Sequence, residues 1–320
     1  MSIRTGLIRL PSWIPIAAGV LLTTGLAVLG LGVTIVPPWL GPHPTPAAGG
    51  AARSEDRADT LWRHAVQEIA RAKGVRAEEA LLGSELTPLV TTLGEIEAKR
   101  LSASPAWAHV LTRQIHGAGI RAGDVVAASF SGSFPGLNIA VMSACQALDI
   151  TLIAVSSVTA SAFGATDAGF TWPELEARLV ASGTLQRATV AVSAGGSGDR
   201  ALDLEPEGRL LARDIAARSA RALGVRLLEP ANFDEAVRLR LVVFDEQRTG
   251  RPIAAFVNVG GTEASLGQSP AILRLTNGWI PPVPFDSSPE RGLVARMAER
   301  GVPVLHLLNV RDLAVRWGIL

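Results

Sequence analysis

The sequence predicts an α/β protein with a Rossmann-like fold, in which a parallel sheet carries helices on both faces and follows a single N-terminal transmembrane helix. From residue 124 onward, short apolar runs alternate with amphipathic segments, which is typical of parallel strands buried on both faces. The stretch from Trp13 to Val36 has no charged residue and is long enough to cross the roughly 30 Å hydrocarbon core of a bilayer. These two patterns predict the two main parts of the chain.

The composition narrows the class of protein. Hydrophobic residues make up 48% of the 320 residues and charged residues 18%, so the chain can bury a sizeable core. The formal net charge of +1 gives no field that would attract nucleic acid, and we predict no nucleic-acid partner. Cys145 is the only cysteine, so no intramolecular disulfide can form, and its apolar neighbours predict a buried structural thiol.

The charges around the apolar stretch predict the orientation of the anchor. Arg4 and Arg9 precede the stretch, and the next cation is Arg53, so the positive-inside rule places the N-terminus in the cytoplasm. The protein is then expected in the inner membrane as a single-pass protein with its domain outside the cytoplasm. A cleaved signal peptide is the alternative, because small residues occur around Ala47 to Ala52.

The predicted organisation has three parts. Residues 1–40 form the cytoplasmic N-terminus and the anchor, residues 41–57 form a linker rich in proline, glycine and alanine, and residues 58–320 form the exported domain. Within that domain we expect a helical lead-in over residues 58–123 and the core with the parallel sheet over residues 124–320.

Apolar periodicity predicts the individual elements. Positions at helical spacing predict helices over Asp56–Lys73 and Pro105–His116, ahead of the sheet. A third helix is expected over Ile139–Leu148. Short apolar runs bounded by loop residues predict five strands: Val125–Phe130, Leu152–Val155, Thr189–Val192, Ile253–Val259 and Val302–Leu307.

Capping signals predict two further helices. Asn232 followed by Glu235 is a capping-box pattern ahead of a helix over Ala236–Gln247, and Gly250 would end it. Within this segment Leu239–Phe244 could instead form a strand. Another helix is expected to begin at Ser288 and Pro289 and to end at Gly301, by the same logic of caps and terminators.

The loops that follow the five predicted strands carry the candidate site. In an open parallel sheet, ligands bind beyond the carboxyl ends of the strands, so these carboxyl-end loops are expected to meet in one cleft. Most are built from glycine and small hydroxyl residues, whose backbone N–H and O–H groups suit a carboxylate or a phosphate. The predicted ligand-binding residues are Ser131, Gly132, Ser133, Asn138, Ser157, Ser161, Gly195, Gly196, Ser197, Asn258, Gly260, Gly261, Thr262 and Asn309.

An alternative explanation is that these residues only build tight turns and helix caps. The loops contain neither a phosphate-binding Gly-Lys-Ser/Thr sequence nor a Gly-x-Gly-x-x-Gly sequence, which disfavours a nucleotide, and we predict no cofactor. Acidic and histidine residues do not recur at the spacing of a metal site, so Asp199, Asp203 and Glu205 are interpreted as caps or solvated acids and no metal is predicted.

Serine chemistry is a second possibility for the same loops. Ser131 or Ser133 could be a nucleophile exposed between a strand and a helix, although the glycine spacing of a nucleophile elbow is missing. His306, at the end of a predicted strand, is the only histidine placed to act as its base. The backbone N–H groups of Gly195 and Gly196 are a possible oxyanion site.

Several stretches together resemble a known family. The residues that carry the resemblance to the poly-gamma-glutamate system proteins, together with the single N-terminal anchor, are Gly132-Ser133-Phe134-Pro135-Gly136-Leu137-Asn138-Ile139-Ala140, Ser156-Ser157-Val158-Thr159-Ala160-Ser161, Gly164-Ala165-Thr166-Asp167, Thr171-Trp172 and Phe256-Val257-Asn258-Val259-Gly260-Gly261-Thr262. The resemblance covers most of the chain beyond residue 55. It implies a role in bacterial poly-γ-glutamate synthesis and export beside a ligase and membrane subunits, and it implies no catalytic residue.

Two functions therefore stay open. The first is an accessory subunit of a complex that synthesises and exports a capsule polymer, with the carboxyl-end loops holding the carboxylates of a polyanionic glutamyl polymer. The second is a serine-dependent hydrolase or transferase that acts on γ-glutamyl or similar amides. A base hydrogen-bonded to one of the loop serines would favour the enzyme. The partners implied by the first function are the membrane, the ligase and the membrane subunits.

Overall fold

A computed structural model describes residues 48–270, 275–282 and 291–320. The predicted transmembrane helix Trp13–Val36 lies outside the described residues, as do Ser288 and Pro289. Within the described parts of the chain, no helix combines the length and apolar character that crossing a membrane requires.

Nine strands and ten α-helices are described, and we number each kind in chain order. The strands are β1 (Val90–Thr92), β2 (Val125–Phe130), β3 (Thr151–Ser157), β4 (Ala160–Ser161), β5 (Thr189–Ser193), β6 (Arg226–Leu228), β7 (Ile253–Val259), β8 (Gly278–Ile280) and β9 (Val304–Leu307). The helices are α1 (Ala48–Lys73), α2 (Ile96–Ser102), α3 (Ala106–Gly117), α4 (Pro135–Ala147), α5 (Trp172–Ala181), α6 (Pro206–Leu223), α7 (Phe233–Gln247), α8 (Glu263–Leu266), α9 (Leu293–Glu299) and α10 (Val310–Arg316).

Seven of the strands form one mostly parallel sheet in the order β6-β5-β3-β2-β7-β9-β8. Only β8 runs antiparallel within it, against β9. The strands alternate their side chains between two helical layers, since Val126 and Ala128 join one apolar core and Val125 and Ala127 join the other. Helices α1, α3, α4, α5 and α10 pack on the first face, and α7 and α9 pack on the second.

The strand order reverses at β2, and this reversal positions the site. The chain moves from β2 through β3, β5 and β6 along one half of the sheet, then returns to β7 on the other side of β2. Loops after β2 and β7 therefore diverge, which leaves a crevice beyond their carboxyl ends. Strands β1 and β4 form a separate parallel pair at the carboxyl-end side of the large sheet. In this pair Thr92 is in register with Ser161.

The structure confirms some predicted elements and corrects others. Strands β2 and β7 have the predicted bounds, and the ambiguous segment Leu239–Phe244 is helical within α7. Helix α1 begins at Ala48, so residues 48–57 of the segment predicted as a linker are helical. The helix expected to end at Gly301 begins at Leu293, and ahead of it Arg291 forms an antiparallel bridge with Gly267.

Helix α7 also places the buried guanidinium group of Arg240 against the sheet. Arg240 is fully buried, and its Nε and Nη2 atoms donate to the two carboxylate oxygens of Asp199 at 3.0 and 2.8 Å. Asp199 was expected to be a cap or a solvated acid, and the solvated interpretation is wrong, since the residue is 2% exposed. A charge this deeply buried is tolerated only when it is paired and hydrogen-bonded.

The same guanidinium joins three neighbouring strands. It donates to the hydroxyl groups of Ser129, Ser157 and Ser193 at 3.2, 2.9 and 2.7 Å, and these serines lie at or next to the carboxyl ends of β2, β3 and β5. Ser193 in turn donates to Asp199 at 2.7 Å. The Arg240 network, which consists of Arg240, Asp199 and these three serines, thus fixes the strand ends from which the carboxyl-end loops emerge.

We expect Arg240→Met to lower the free energy of unfolding by about 3–5 kcal/mol, because it leaves the Asp199 carboxylate buried without its partner. Arg238→Ala on the same helix is the matched control, since it removes the exposed pair with Glu235 and should cost about 0–1 kcal/mol. Urea unfolding followed by circular dichroism measures both. A cost below about 1 kcal/mol for Arg240→Met would contradict the importance of this ion pair.

Candidate active site

A cleft of about 450 Å³ opens beyond the carboxyl ends of the strands. Its walls come from the β1–β4 pair and from the loops that follow β2, β3, β5, β7 and β9. Seven of the predicted site residues line it: Ser131, Ser133, Ser161, Gly196, Ser197, Gly261 and Thr262. The expectation that the carboxyl-end loops would meet therefore holds for these residues, at the position that the strand order dictates.

The other predicted residues lie below or beside the cleft. Asn138 is fully buried in α4, where its amide Nδ2 donates to the carbonyl of Ser131 at 2.9 Å. Ser157 belongs to the Arg240 network. Gly132 packs against Ala160, and Asn309 caps α10 by accepting from the Asp312 N–H. These residues shape the loops and caps, as the alternative explanation from sequence predicted.

Two glycines permit the tight turns beneath the cleft. Gly260 has a φ of +86°, and a Cβ there would lie 2.1 Å from the Ser131 hydroxyl oxygen. Gly195 has a φ of +79°, and a Cβ there would lie 2.5 Å from Oγ1 of Thr159. Of the two glycines predicted as an oxyanion site, Gly196 lines the cleft and Gly195 packs against Ser157 and Thr159 beneath it.

Ser131 and Ser133 are held by backbone donors. The Ser131 hydroxyl accepts from the N–H of Ser133 at 3.2 Å, and the Ser133 hydroxyl accepts from the N–H of Ser161 at 3.1 Å. The Ser131 hydroxyl thus orders the loop that follows it, and the Ser133 hydroxyl links the loop after β2 to strand β4. No hydrogen bond among the described residues joins either hydroxyl to a side-chain base.

His306 does not meet the serines that it was predicted to activate. It is 1% exposed on β9, and its Nδ1 atom lies 3.0 Å from the amide Nδ2 of its register partner Asn258. Burial lowers the pKa of the imidazole to about 4, so the ring is neutral at physiological pH. Asn258 also donates to the carbonyl of Gly260 at 2.8 Å, so this buried pair supports the turn after β7.

A different serine contacts an amine. Nζ of Lys99, on α2, lies 2.6 Å from the hydroxyl oxygen of Ser161 and 2.5 Å from the carbonyl oxygen of Ser133. Lys99 is 3% exposed, and its Nζ also lies 4.3 Å from the centre of the Phe134 ring. Burial lowers the pKa of this amine from 10.5 to about 7, so a large fraction of it is neutral at physiological pH.

Close packing between α2 and α4 places this lysine. The C-terminal turn of α2 passes so near α4 that a Cβ on Gly136 would lie 2.4 Å from the carbonyl oxygen of Ser102. The loop ahead of α2 is equally close, since a Cβ on Gly94 would lie 2.5 Å from the carbonyl of Ala162 and 3.3 Å from Cε of Lys99. Glycine at both positions lets α2 approach the cleft, which brings Nζ to Ser161.

Lys99 was not among the residues predicted from the sequence, although one signal pointed to it. Lys73 and Lys99 are the only lysines among 30 basic residues, and arginine cannot supply a neutral amine because it stays protonated. A lysine in a chain that otherwise uses arginine is therefore a candidate for a role that needs a neutral amine. The signal is not specific, since Lys73 donates to the carbonyl of Leu82 and contacts no hydroxyl of the cleft.

The charged side chains lining the cleft are acidic. Asp203 and Glu263 line it, and their carboxylates accept from the N–H groups of Ser197 and Gly198, both at 2.9 Å. Within the described residues, no arginine or lysine lines the cleft and no group of His, Cys, Asp and Glu could hold a metal ion. A carboxylate ligand would meet like charges here.

We expect the buried amine to make stability depend on pH. The unfolded chain keeps its Lys99 proton up to about pH 10.5, whereas the folded protein releases it near pH 7. The free energy of unfolding should therefore rise between pH 7 and pH 9, by about 1.4 kcal/mol per pH unit from this group. Urea unfolding at pH 7, 8 and 9 should give a steeper rise for the wild type than for Lys99→Met. Parallel pH profiles of the two proteins would show that the amine titrates normally.

The chain matches no protein-family model, and comparisons with curated proteins and with solved structures likewise give no match. The contacts of the cleft indicate its chemistry, and the Lys99–Ser161 pair is the most specific of them.

Proposed function

We propose that the protein is a serine hydrolase or acyltransferase in which Ser161 is the nucleophile and Lys99 is its general base. The observation that carries this proposal is the 2.6 Å contact between Nζ of Lys99 and the Ser161 hydroxyl, made by a buried amine with a pKa of about 7. A general base works best when its pKa lies near the operating pH. Ser161 lines the cleft, so a carbonyl group can reach it.

The arrangement supports a two-step acyl transfer. Neutral Lys99 keeps one N–H on the carbonyl of Ser133, and its lone pair then accepts the Ser161 hydroxyl proton as Oγ attacks the substrate carbonyl carbon. The resulting ammonium returns the proton to the leaving alkoxide or amine, which gives an acyl-serine. In the second step Lys99 takes a proton from the attacking water or acceptor, and returns it to Oγ of Ser161 as the acyl group departs.

Ser133 positions both members of this pair. Its carbonyl oxygen accepts from Lys99, and its hydroxyl accepts from the N–H of Ser161. These two contacts come from a single residue of the loop after β2, so they fix the amine and the nucleophile relative to each other. Such pre-organisation is what a base and a nucleophile need to react without first rearranging.

A fluorophosphonate probe tests the nucleophile without knowledge of the substrate. We expect the wild-type protein to be labelled on Ser161, with a rate that rises with pH through about 7 as Lys99 loses its proton. Ser161→Ala and Lys99→Met should each lower the rate by about 100-fold or more. Intact mass and peptide mapping give the rate and the labelled residue.

Two controls separate catalysis from structure. Lys99→Arg keeps a cation and donors at this position but cannot accept a proton, so it should be as unreactive as Lys99→Met. Ser182→Ala changes a serine outside the cleft and should be labelled like the wild type. Full labelling of Lys99→Arg, or an adduct on a serine other than Ser161, would contradict the proposed pair.

We also propose, as a second candidate, the accessory role in poly-γ-glutamate synthesis and export that the resemblance implies. One observation supports it: three of the resembling stretches contribute residues to the lining of a single cleft, among them Ser133, Ser161 and Gly261. Asp203 and Glu263 weigh against glutamyl carboxylates as the ligand of this cleft. Membrane anchoring through residues 1–40 and the association with a ligase and membrane subunits remain predictions.

Calorimetric titration with a γ-glutamyl oligomer distinguishes the two candidates. If the cleft repels carboxylates, the wild type should bind weakly, and Asp203→Asn should bind about threefold to tenfold more tightly because a like charge is removed. The asparagine side-chain oxygen can still accept from the N–H of Ser197, so the loop should keep its conformation. Tight binding by the wild type that Asp203→Asn leaves unchanged would favour the accessory role.

A further inference from the structure

The cleft has an apolar part beside its serines. Leu93, Leu266 and Leu308 line it together with Phe134. Leu266 and Leu308 approach the same point of the backbone, since a Cβ on Gly261 would lie 3.5 Å from a Cδ1 atom of each. Both side chains therefore lie next to Gly261, in the loop after β7, and contribute apolar surface to the same part of the cleft.

Leu93 is a third leucine of the cleft lining, and it lies beside the strand that carries the nucleophile. It directly follows Thr92, which is the register partner of Ser161 in the β1–β4 pair. Leu93 is 89% exposed, the highest value among the large hydrophobic residues in the described part of the chain. Covering a leucine that is exposed at the mouth of a cleft with an apolar group is favourable, because apolar surface is removed from water.

The charges and the size of the cleft narrow the ligand further. The acids Asp203 and Glu263 disfavour an anionic acyl group, because it would meet like charges. The volume of about 450 Å³ falls in the range of small-molecule sites, which are mostly apolar with a few placed polar groups. Both features fit a neutral molecule with a hydrocarbon part.

We propose that the substrate is a neutral carboxylic ester whose acyl group is a hydrocarbon chain, bound along Leu93, Leu266 and Leu308. This inference rests on the proposed Ser161–Lys99 chemistry. The bond from Oγ of Ser161 to the acyl carbon forms as the ester C–O bond breaks, and the proton passes from Ser161 through Lys99 to the departing alcohol. Water then releases the fatty acid and restores Ser161.

Hydrolysis of p-nitrophenyl acetate, butyrate and octanoate by the full-length protein tests the chain preference. We expect kcat/KM to increase from acetate to octanoate by about 10-fold to 100-fold, as successive methylenes leave water. Leu93→Ser should lower the octanoate-to-acetate ratio of kcat/KM by about fivefold to tenfold. Leu86→Ser is the matched control, since Leu86 is 79% exposed and lies outside the cleft lining, and it should keep the wild-type ratio.

The outcomes separate this inference from the proposed function. Equal kcat/KM values for the three esters, or an unchanged ratio in Leu93→Ser, would overturn the acyl-chain site while Ser161 labelling upholds the enzyme. Faster cleavage of γ-glutamyl p-nitroanilide than of the octanoate ester would also overturn it, in favour of a carboxylate-bearing substrate. Absence of both ester hydrolysis and fluorophosphonate labelling would overturn the enzyme and the inference together.

Discussion

The ion pair between Arg240 and Asp199 is the constraint on which the cleft depends. Three parallel strands can each end in a loop without those loops meeting in a defined way, because hydrogen bonds within a sheet fix the strands and leave the loops beyond them free. The Arg240 network removes this freedom by joining the ends of β2, β3 and β5 to one guanidinium. A planar group with five N–H donors suits this task, since it can bond to a carboxylate and several hydroxyls at once.

The Arg240–Asp199 pair and the Lys99–Ser161 pair differ in their surroundings. Arg240 reaches the strand ends from α7 on the second face, where it is fully buried and its charge is paired with Asp199. Lys99 comes from α2 and has a carbonyl, a hydroxyl and an aromatic ring around it, with no carboxylate among its hydrogen-bond partners. Burial without a counter-charge is what lowers the pKa of an amine, so these surroundings suit a base better than a structural cation.

Sequence patterns predicted the sheet because its central strands are buried on both faces. Strands β2 and β7 are mostly apolar along their length, and their bounds were predicted correctly. Strands β1, β4, β6 and β8 have two or three residues each, too few to give a periodic signal, and they were missed. The convergence of the loops followed from topology, but the Lys99–Ser161 contact joins residues 62 positions apart, and no local pattern specifies it.

The two edges of the large sheet determine how readily it can pair with the sheet of another molecule at high protein concentration. An exposed edge strand offers unpaired backbone groups to which a strand of another molecule can add. Here the edge strands β6 and β8 have three residues each, and β8 is followed directly by Pro281 and Pro282. At the other edge, Arg226 forms an exposed ion pair with Glu246 at the start of β6. Short edges with proline and charge next to them give another chain little to pair with, so the sheet resists edge-to-edge aggregation at high protein concentration.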